Sequence, residues 1–309
     1  MTSLAIEKTA RVTAVHRERF SVAWETGVAY ARVKMGAYKD ADTLSYPTVG
    51  DLVTIRVNDQ GDSLIVETQP RKSLFSRKIA GKVYGEQAVA ANFDEVFILS
   101  SLNQDFSARR IERYAALAWQ SGGVPVIVLT KKDLVESATQ QEYEAAAAAP
   151  GTDVYTVSAK TGEGMEALRQ RLGPGRAVVL LGSSGVGKSS LVNALAQEEI
   201  METSGVREDD DRGRHTTTHR QLITLSSGAV VMDTPGMREI GLWNAEEGVS
   251  EAFGDIGELA RGCRFRDCAH MTEPGCAVKQ AIEEGVLEEK RLKNYHKLQR
   301  EAARRRKPQ

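Results

Sequence analysis

A glycine-rich motif, GxxxxGK[ST], constrains the fold of this chain more than any other feature. It consists of Gly182, Gly187, Lys188 and Ser189. The apolar run at 177–182 predicts a buried parallel strand before the motif, and 190–195 predicts a helix after it. In that setting loop N–H groups and the start of the helix surround the β-phosphate of a nucleotide. Lys188 is expected to reach the β- and γ-phosphate oxygens and Ser189 to bind Mg²⁺. An ordinary glycine-rich turn is the alternative.

Length and composition predict a soluble cytoplasmic protein of several domains. The chain has 309 residues, 41% of them hydrophobic, enough for about two or three domains with buried cores. Its net charge is −1, yet residues 286–309 hold nine Lys or Arg against three Glu. No apolar run approaches membrane-spanning length, and the first residues do not resemble a signal peptide. We therefore expect no membrane partner.

Residues 1–70 are predicted to form a small closed β-barrel. Five short runs alternate apolar and polar residues between glycines, and an OB-fold is the simplest arrangement. Such barrels often bind RNA through basic and aromatic side chains on one face. The candidates are Arg11, Arg17, Arg19, Phe20, Trp24, Tyr30 and Arg32. An accessory barrel whose aromatic residues are core is the alternative. Residues 69–78 are expected to be a polar, basic connection.

Strands and helices alternate from about residue 90 to 245, which predicts a three-layer α/β domain with a mostly parallel sheet. The expected strands are 94–100, 124–129, 153–157 and 177–182, and the expected helices are 109–120, 142–149 and 165–172. Ser107 is expected to cap the first of these helices. An antiparallel pair of strands, 220–225 and 229–232, follows. The predicted fold is multidomain: the barrel at 1–70, an α/β P-loop domain at 71–245, and a mostly helical C-terminal domain at 246–309.

Two short motifs at successive strand ends favour guanine over adenine. Thr130-Lys-Lys-Asp133 matches [NT]KxD, whose Asp accepts hydrogen bonds from the guanine N1–H and exocyclic amine. Adenine has no such donor pair, so the Asp discriminates between the bases. Ser158-Ala-Lys160 matches the SAK segment, whose backbone N–H contacts the guanine O6. Each motif is weak alone, and their succession makes them mutually supporting.

The segments after the phosphate loop have the composition of GTPase switches. In the polar stretch 213–218, Thr217 and Thr218 are candidates to close on Mg²⁺ and the γ-phosphate. Asp233-Thr-Pro-Gly236 matches DxxG, whose Asp holds Mg²⁺ through water and whose Gly N–H meets the γ-phosphate. The guanine motifs come before the phosphate loop, whereas ordinary GTPases have them last. The domain is therefore predicted to be circularly permuted.

Two residues depart from the usual GTPase pattern. Thr130 stands where Asn is commoner, and we expect it to brace the phosphate loop less well. Met237 follows DxxG where Ras-like GTPases place a water-orienting Gln, and a thioether cannot orient water. Slow intrinsic hydrolysis is expected. His215, beside the switch threonines, is the candidate to position the water, with a plain surface loop residue as the alternative.

All three cysteines lie in one short segment with a histidine, which predicts a metal site. The pattern is Cys263-x₄-Cys268-x-His270-x₅-Cys276. Three thiolates and one imidazole are the ligands of a closed, structural Zn²⁺ site. Free buried cysteines beside an unrelated histidine are the alternative. The helix that follows has an apolar stripe and basic outer faces, and is a candidate RNA contact. The stripe consists of Leu287, Leu292, Tyr295 and Leu298.

The order of these motifs resembles the RsgA family of bacterial GTPases that depend on the small ribosomal subunit. The resemblance rests on the barrel, then TKKD, SAK, GSSGVGKSS, HTTT and DTPG, then the CxxxxCxHxxxxxC module, and covers nearly the whole chain. It implies a cytoplasmic, generally monomeric GTPase that binds the small subunit late in assembly. It also implies that the barrel and zinc domain contact rRNA and that the subunit stimulates hydrolysis.

The motifs and the resemblance together define one set of expected site residues. The expected GTP-binding residues are Thr130, Lys131, Lys132, Asp133, Ser158, Ala159, Lys160, Gly182, Ser183, Ser184, Gly185, Val186, Gly187, Lys188, Ser189, Ser190, Thr217, Thr218, Asp233 and Gly236. The expected catalytic residues are Lys188 and His215, the Mg²⁺ ligands are Ser189, Thr217 and Asp233, and the Zn²⁺ ligands are Cys263, Cys268, His270 and Cys276.

Two other functions stay open on the sequence. Met237 favours a guanine-nucleotide sensor that binds RNA without hydrolysing GTP. A permuted GTPase acting on the large subunit is the other, and the barrel and the zinc module argue against it.

Overall fold

A computed structural model of the chain describes residues 7–38, 42–78, 86–201, 220–233 and 245–303. The strands are β1 (Glu7–Val15), β2 (Phe20–Trp24), β3 (Gly27–Val33), β4 (Leu52–Arg56), β5 (Ser63–Thr68), β6 (Leu74–Lys78), β7 (Glu86–Ala91), β8 (Glu95–Ser101), β9 (Val124–Thr130), β10 (Val154–Thr156), β11 (Ala177–Leu181), β12 (Arg220–Thr224) and β13 (Val230–Asp233). The α-helices are α1 (Ala108–Gln120), α2 (Thr139–Ala148), α3 (Met165–Arg171), α4 (Lys188–Ala196), α5 (Glu246–Ala252), α6 (Gly254–Ala260), α7 (Ala277–Glu283) and α8 (Glu289–Ala303). None of these described helices is long and apolar enough to span a bilayer.

The first five strands close into a barrel, as predicted. β1 pairs with β2, β2 with β3, β3 with β5 and β5 with β4, and the pairing of β1 with β4 completes the ring. Alternate side chains point inward because successive residues of a strand face opposite sides. The buried core of the barrel includes Val12, Val22, Val53, Ile55 and Ile65. This closed five-stranded barrel has the expected OB-type architecture.

The second unit is a three-layer α/β domain, also as predicted. Strands β10, β9, β8, β11 and β13 lie side by side in that order and run parallel, and β12 joins the edge antiparallel. Helices α1, α2 and α5 cover one face, and α3 and α4 cover the other. Every residue of β8 and β11 is buried, as is usual for strands covered on both faces. Ser107 caps α1 by accepting a hydrogen bond from the Arg110 N–H.

One segment differs from the expectation. Residues 74–78, predicted to be part of a polar connection, form β6, which pairs with β7 in a separate two-stranded sheet. Phe75 is buried and stacks on Phe93 with ring centroids 4.9 Å apart. The polar residues around Phe75 favour a loop, but burial of its ring stabilises the strand. Tertiary packing routinely overrides local propensity in this way.

The barrel and the α/β sheet are continuous. β1 pairs with β12, with Ala14 opposite Gln221, so that eleven strands form one sheet. A buried ion pair supports the junction, where Asp51 accepts hydrogen bonds of 2.7 Å from both Nε and Nη2 of Arg71. The barrel is thereby attached to the strand that leads into β13 and Asp233.

The C-terminal helices pack against α1. The predicted apolar stripe is buried or half-buried, as expected for Leu287, Leu292, Tyr295 and Leu298. Arg291, however, was expected on an outer face and is 7% exposed. It donates to both carboxylate oxygens of Asp255, at 2.5 and 2.7 Å, and to Glu112 of α1 at 3.4 Å. The charge is tolerated inside because it is paired and hydrogen-bonded.

Candidate nucleotide site and metal centre

The predicted nucleotide-binding motifs meet at one edge of the parallel sheet. β9 ends at Thr130, β11 at Leu181 and β13 at Asp233. The strand registers set Ser101 beside Thr130, and Ile98 beside Leu181. Open α/β sheets bind ligands outside the carboxyl ends of their strands. The guanine motif, the phosphate loop and the backbone of Asp233 are therefore neighbours around one crevice.

The phosphate loop has the backbone geometry that close approach of a phosphate requires. Gly187 precedes α4 with φ = 102°, in the left-handed region that favours glycine. A Cβ on Gly182 would lie only 2.9 Å from Val186 Cγ1. The Lys188 ammonium donates to the carbonyls of Gly182 and Ser183, at 2.9 and 2.8 Å. The loop therefore presents a cation and the first N–H groups of α4 to the same space.

Thr130 links the guanine motif to the phosphate loop. Its buried hydroxyl donates to the Val186 carbonyl at 2.6 Å. A brace is thus present although threonine stands in the place of the commoner asparagine, and this contact does not support the expectation of a looser loop.

The two guanine motifs are joined by one hydrogen bond. The Ser158 hydroxyl, fully buried, donates to Asp133 Oδ1 at 2.6 Å. Each carboxylate oxygen has two acceptor positions, so Asp133 keeps capacity for the two guanine donors. Lys132 instead directs its ammonium to the carbonyls of Val135 and Glu136, at 3.4 and 3.2 Å. Its contact is with its own loop.

Asp105 is a site residue that motif analysis missed. It lies in the loop after β8 and accepts a hydrogen bond of 2.6 Å from Ser183 of the phosphate loop. Arg110 donates to both of its oxygens, at 2.8 and 3.0 Å. Hydrogen bonds from Arg110, and then from Ser183, lower the pKa of Asp105. The available signal was position alone, since the residue follows the carboxyl end of a buried parallel strand.

The predicted switch residues lie beyond what the structure describes. His215, Thr217, Thr218, Gly236 and Met237 fall in 202–219 and 234–244, outside the described residues. Asp233 is described through its backbone, as the last residue of β13. Their roles stay predictions.

The four predicted zinc ligands converge. The ligand atoms of Cys263, Cys268, His270 and Cys276 all lie within 4.8 Å of one another. His270 Nδ1 is 3.7 Å from Cys263 Sγ and 3.5 Å from Cys276 Sγ, and the two sulfurs are 3.9 Å apart. A tetrahedral ion with Zn–S of about 2.3 Å and Zn–N of about 2.0 Å requires separations of about 3.8 Å between sulfurs and about 3.5 Å between sulfur and nitrogen. The cluster could hold such an ion.

Local N–H groups shape this cluster. Burial disfavours the Cys263 thiolate, but N–H groups of Val278 and Ala277 oppose it and lower the pKa of that thiol overall. Glu273, a residue the motif did not include, accepts hydrogen bonds from the N–H groups of Ala269, Met271 and Thr272 at 2.8–2.9 Å. With its own backbone N–H first among the donors, these bonds hold the pKa of Glu273 at about 2. It thereby fixes the turn in which His270 adopts φ = 58°.

Comparison with known proteins decides between the families of P-loop GTPases. The sequence matches the family described as RsgA GTPase over residues 68–243. The chain belongs to the RsgA GTPase family. The "Small ribosomal subunit biogenesis GTPase RsgA 1" of Listeria monocytogenes is 47% identical over 293 residues, which cover 95% of this chain and 83% of that protein. An RsgA 2 of Vibrio parahaemolyticus is 46% identical over 95% of this chain and 79% of its own length. The resemblance inferred from motif order is confirmed, and the chain is a GTP hydrolase of the RsgA family.

Solved structures support the same architecture for this RsgA-family chain. YjeQ from Thermotoga maritima superposes with a TM-score of 0.71 at 27% identity, covering 95% of this chain and 97% of that one. YloQ, described as a circularly permuted GTPase, gives a TM-score of 0.69 at 24% identity, covering 100% and 99%. The predicted circular permutation of the RsgA-family fold is confirmed.

Replacing Asp133 tests the guanine site of this RsgA-family GTPase. Asp133→Asn puts an amide donor where guanine also donates, so we expect GTP affinity to fall by about 10²-fold or more while ATP binding stays negligible. Nucleotide dissociation constants measured by fluorescence titration check this. Asp153→Asn, at the opposite edge of the sheet in a surface ion pair with Arg171, is the matched control. Equal GTP affinity of the two variants would contradict the assignment.

Proposed function

We propose that this chain hydrolyses GTP to GDP and phosphate during late maturation of the small ribosomal subunit, while bound to that subunit and its rRNA. Its curated relatives carry the name of small ribosomal subunit biogenesis GTPases. The observation that carries the proposal is the attachment of the barrel, through β1 and β12, to the strand pair between the two predicted switch segments. We further propose that the protein acts in the cytoplasm as a monomer.

In the proposed site each motif has one task. Asp133 and the Ser158–Lys160 segment would select guanine, and N–H groups of the phosphate loop would hold the β-phosphate. Ser189, Thr217 and Asp233 would hold Mg²⁺, which supplies charge neutralisation between the β- and γ-phosphate oxygens. The ammonium of Lys188, already at the mouth of the loop, would add a second positive charge there. Stabilisation of developing charge is the main source of rate in phosphoryl transfer.

The continuous sheet suggests how the nucleotide is reported to the barrel. Segments 202–219 and 234–244 flank the β12–β13 pair in the sequence, and β12 pairs directly with β1. Ordering of these segments around the γ-phosphate would bias the position of β12, and its release after hydrolysis would remove that bias. Affinity for rRNA would change with it.

Two surfaces support RNA contact. On the barrel, Arg19 lies 3.8 Å from the ring centroid of Tyr30, which is 46% exposed. Phe20 and Trp24 instead pack against the barrel core, which favours the accessory-barrel alternative for those two residues. Near the metal centre, Arg264 lies 5.5 Å from the ring centroid of Phe265, which is 41% exposed. Exposed aromatic and guanidinium groups together suit bases and phosphates.

We propose zinc as the metal of the Cys₃His cluster and a structural role for it. Thiolate and imidazole donors in tetrahedral spacing suit Zn²⁺, and four protein ligands leave no position for a substrate. The proposed domains are the RNA-binding barrel at 1–70, the permuted GTPase at 71–245, and the zinc-binding domain with its basic helix at 246–309.

Hydrolysis with separated ribosomal subunits tests the function. At matched salt we expect slow GTP turnover by the protein alone, strong acceleration by small subunits, and none by large subunits. Acceleration by large subunits would support the large-subunit alternative. Tight GTP binding without acceleration by either would show a nucleotide-gated RNA binder, the non-hydrolysing sensor.

The same assay separates the two interpretations of His215. If it positions the attacking water, His215→Ala binds GTP normally but loses most of the acceleration by small subunits. A variant that retains full stimulated turnover would return His215 to an ordinary loop residue.

A further inference from the structure

A basic cleft lies between α1 and α8. It has a volume of 230 Å³. Its charged lining is entirely cationic, and the polar groups beside it are small. The lining includes Arg109, Arg110, Arg113 and Lys297, with Ser107 and Asn294.

The charges of the cleft are only half compensated. Arg110 pairs with Asp105, and Arg113 pairs with Glu301. Arg109 and Lys297 are exposed, and neither forms an ion pair with any other described residue. Two positive charges are therefore in excess. This excess positive charge attracts an anion. The attraction weakens as the salt concentration rises, because both charged groups are solvated.

The walls of the cleft are fixed relative to each other. Arg113 donates to both carboxylate oxygens of Glu301 on α8, at 2.7 and 2.8 Å. The residue before Arg113 on α1, buried Glu112, accepts a hydrogen bond of 2.7 Å from Asn294 of α8. Because the helices that form the cleft are already packed together, their backbones lose little conformational entropy when a ligand enters.

The size of the cleft selects among anions. Ligand pockets for whole small molecules usually occupy about 300–1,000 Å³, so 230 Å³ suits a single phosphate group better than a nucleotide. Guanidinium groups match phosphate oxygens with paired hydrogen bonds. On α8, exposed Arg300 lies three residues beyond Lys297. A polymer of phosphates would engage both.

We propose that the α1–α8 cleft binds the phosphodiester backbone of RNA. This rests on the proposed function and adds a third RNA-binding surface, formed by the GTPase domain and the C-terminal helix together. The cleft adjoins the nucleotide site through a direct chain of contacts, since Arg110 holds Asp105 and Asp105 holds Ser183 of the phosphate loop. RNA bound here lies two contacts from the phosphate loop.

Neutralising the two uncompensated cations tests the cleft. The full-length variant R109Q/K297Q is compared with the wild type for binding of a short fluorescein-labelled RNA duplex across a series of potassium chloride concentrations. We expect affinity to fall about tenfold, and the slope of log affinity against log salt to shrink by about 2, one for each lost phosphate contact. Arg176→Gln, an exposed arginine at the amino end of β11, is the matched control and should behave as wild type. Melting temperature and GTP affinity of the double variant should be unchanged.

Equal affinity and slope for R109Q/K297Q and the wild type would overturn the inference. Saturable binding of inorganic phosphate that the double variant loses, with RNA affinity unchanged, would assign the cleft to free oxyanions and overturn it as well. Stimulation of wild-type GTP hydrolysis by small subunits is measured in parallel. Its absence would defeat the proposed function, whereas the binding test on naked RNA would still decide the cleft.

Discussion

Lys188→Ala is expected to lower the rate of GTP hydrolysis by about 10²- to 10³-fold, the usual effect of removing one group that stabilises transition-state charge. The ammonium lies over the phosphate loop, 2.8–2.9 Å from the carbonyls of Gly182 and Ser183. From that position it would stabilise the negative charge that develops on the oxygens of the transferring phosphoryl group. Single-turnover hydrolysis of radiolabelled GTP, with small subunits present, measures the loss, and equilibrium titration with GDP shows how much of it is binding.

The control for this variant is Lys293→Ala, which removes a lysine in an exposed pair with Glu289 on α8. Such surface pairs contribute little to stability, so activity and melting temperature should stay at the wild-type level. The Lys188→Ala variant is informative only if it is folded, and its melting curve establishes whether it is. A folded Lys188→Ala protein that hydrolyses GTP at the wild-type rate would remove Lys188 from the catalytic machinery.

The parts of the fold that sequence predicts well are those that depend on neighbours along the chain. The spacing of the glycines predicts the loop between β11 and α4. The alternation of apolar and polar residues in 1–70 predicts the five barrel strands that the structure contains. The stripe at Leu287, Leu292 and Leu298 is likewise buried as expected. In each case the sequence pattern and the element it predicts lie within a few residues of each other. The prediction therefore does not require the positions of distant residues.

The missed features depend on partners that are remote in sequence. Asp105 contacts Ser183, 78 residues away, and Arg291 contacts Glu112, 179 residues away. From sequence alone, a charged residue on a helix is expected to be solvated. Its burial can be predicted only when the acidic residue that pairs with it is known. β6 was also missed because its buried ring, Phe75, packs on Phe93, 18 residues further along the chain. Only tertiary packing supplies these pairings.

Removing the metal is expected to unfold one segment of the C-terminal region and leave the rest. Metal binding in small zinc modules contributes on the order of 10 kcal/mol to folding. Between α6 and α7, residues 261–276 lack regular secondary structure, so this segment depends on the cluster. Helices α5 and α8 have other support, because Arg291 ties α8 to Glu112 of α1 and to the Ala252 carbonyl of α5. Hydrogen exchange with and without a chelator should show lost protection at 261–276 and retained protection in α1, α5 and α8.

Two substitutions grade this effect. Cys276→Ser removes a ligand and should reproduce the chelator's exchange pattern. Glu273→Gln keeps all four ligands but replaces an acceptor oxygen of the carboxylate with a donor, so the turn around His270 loses hydrogen bonds. We expect it to weaken zinc affinity by about 10- to 100-fold, as outer-shell changes usually do, with normal protection in excess zinc. Glu251→Gln, on an exposed position of α5, is its matched control. Metal analysis must first show that the ion has been removed. If hydrogen exchange at 261–276 is then unchanged, packing and not the metal stabilises this segment.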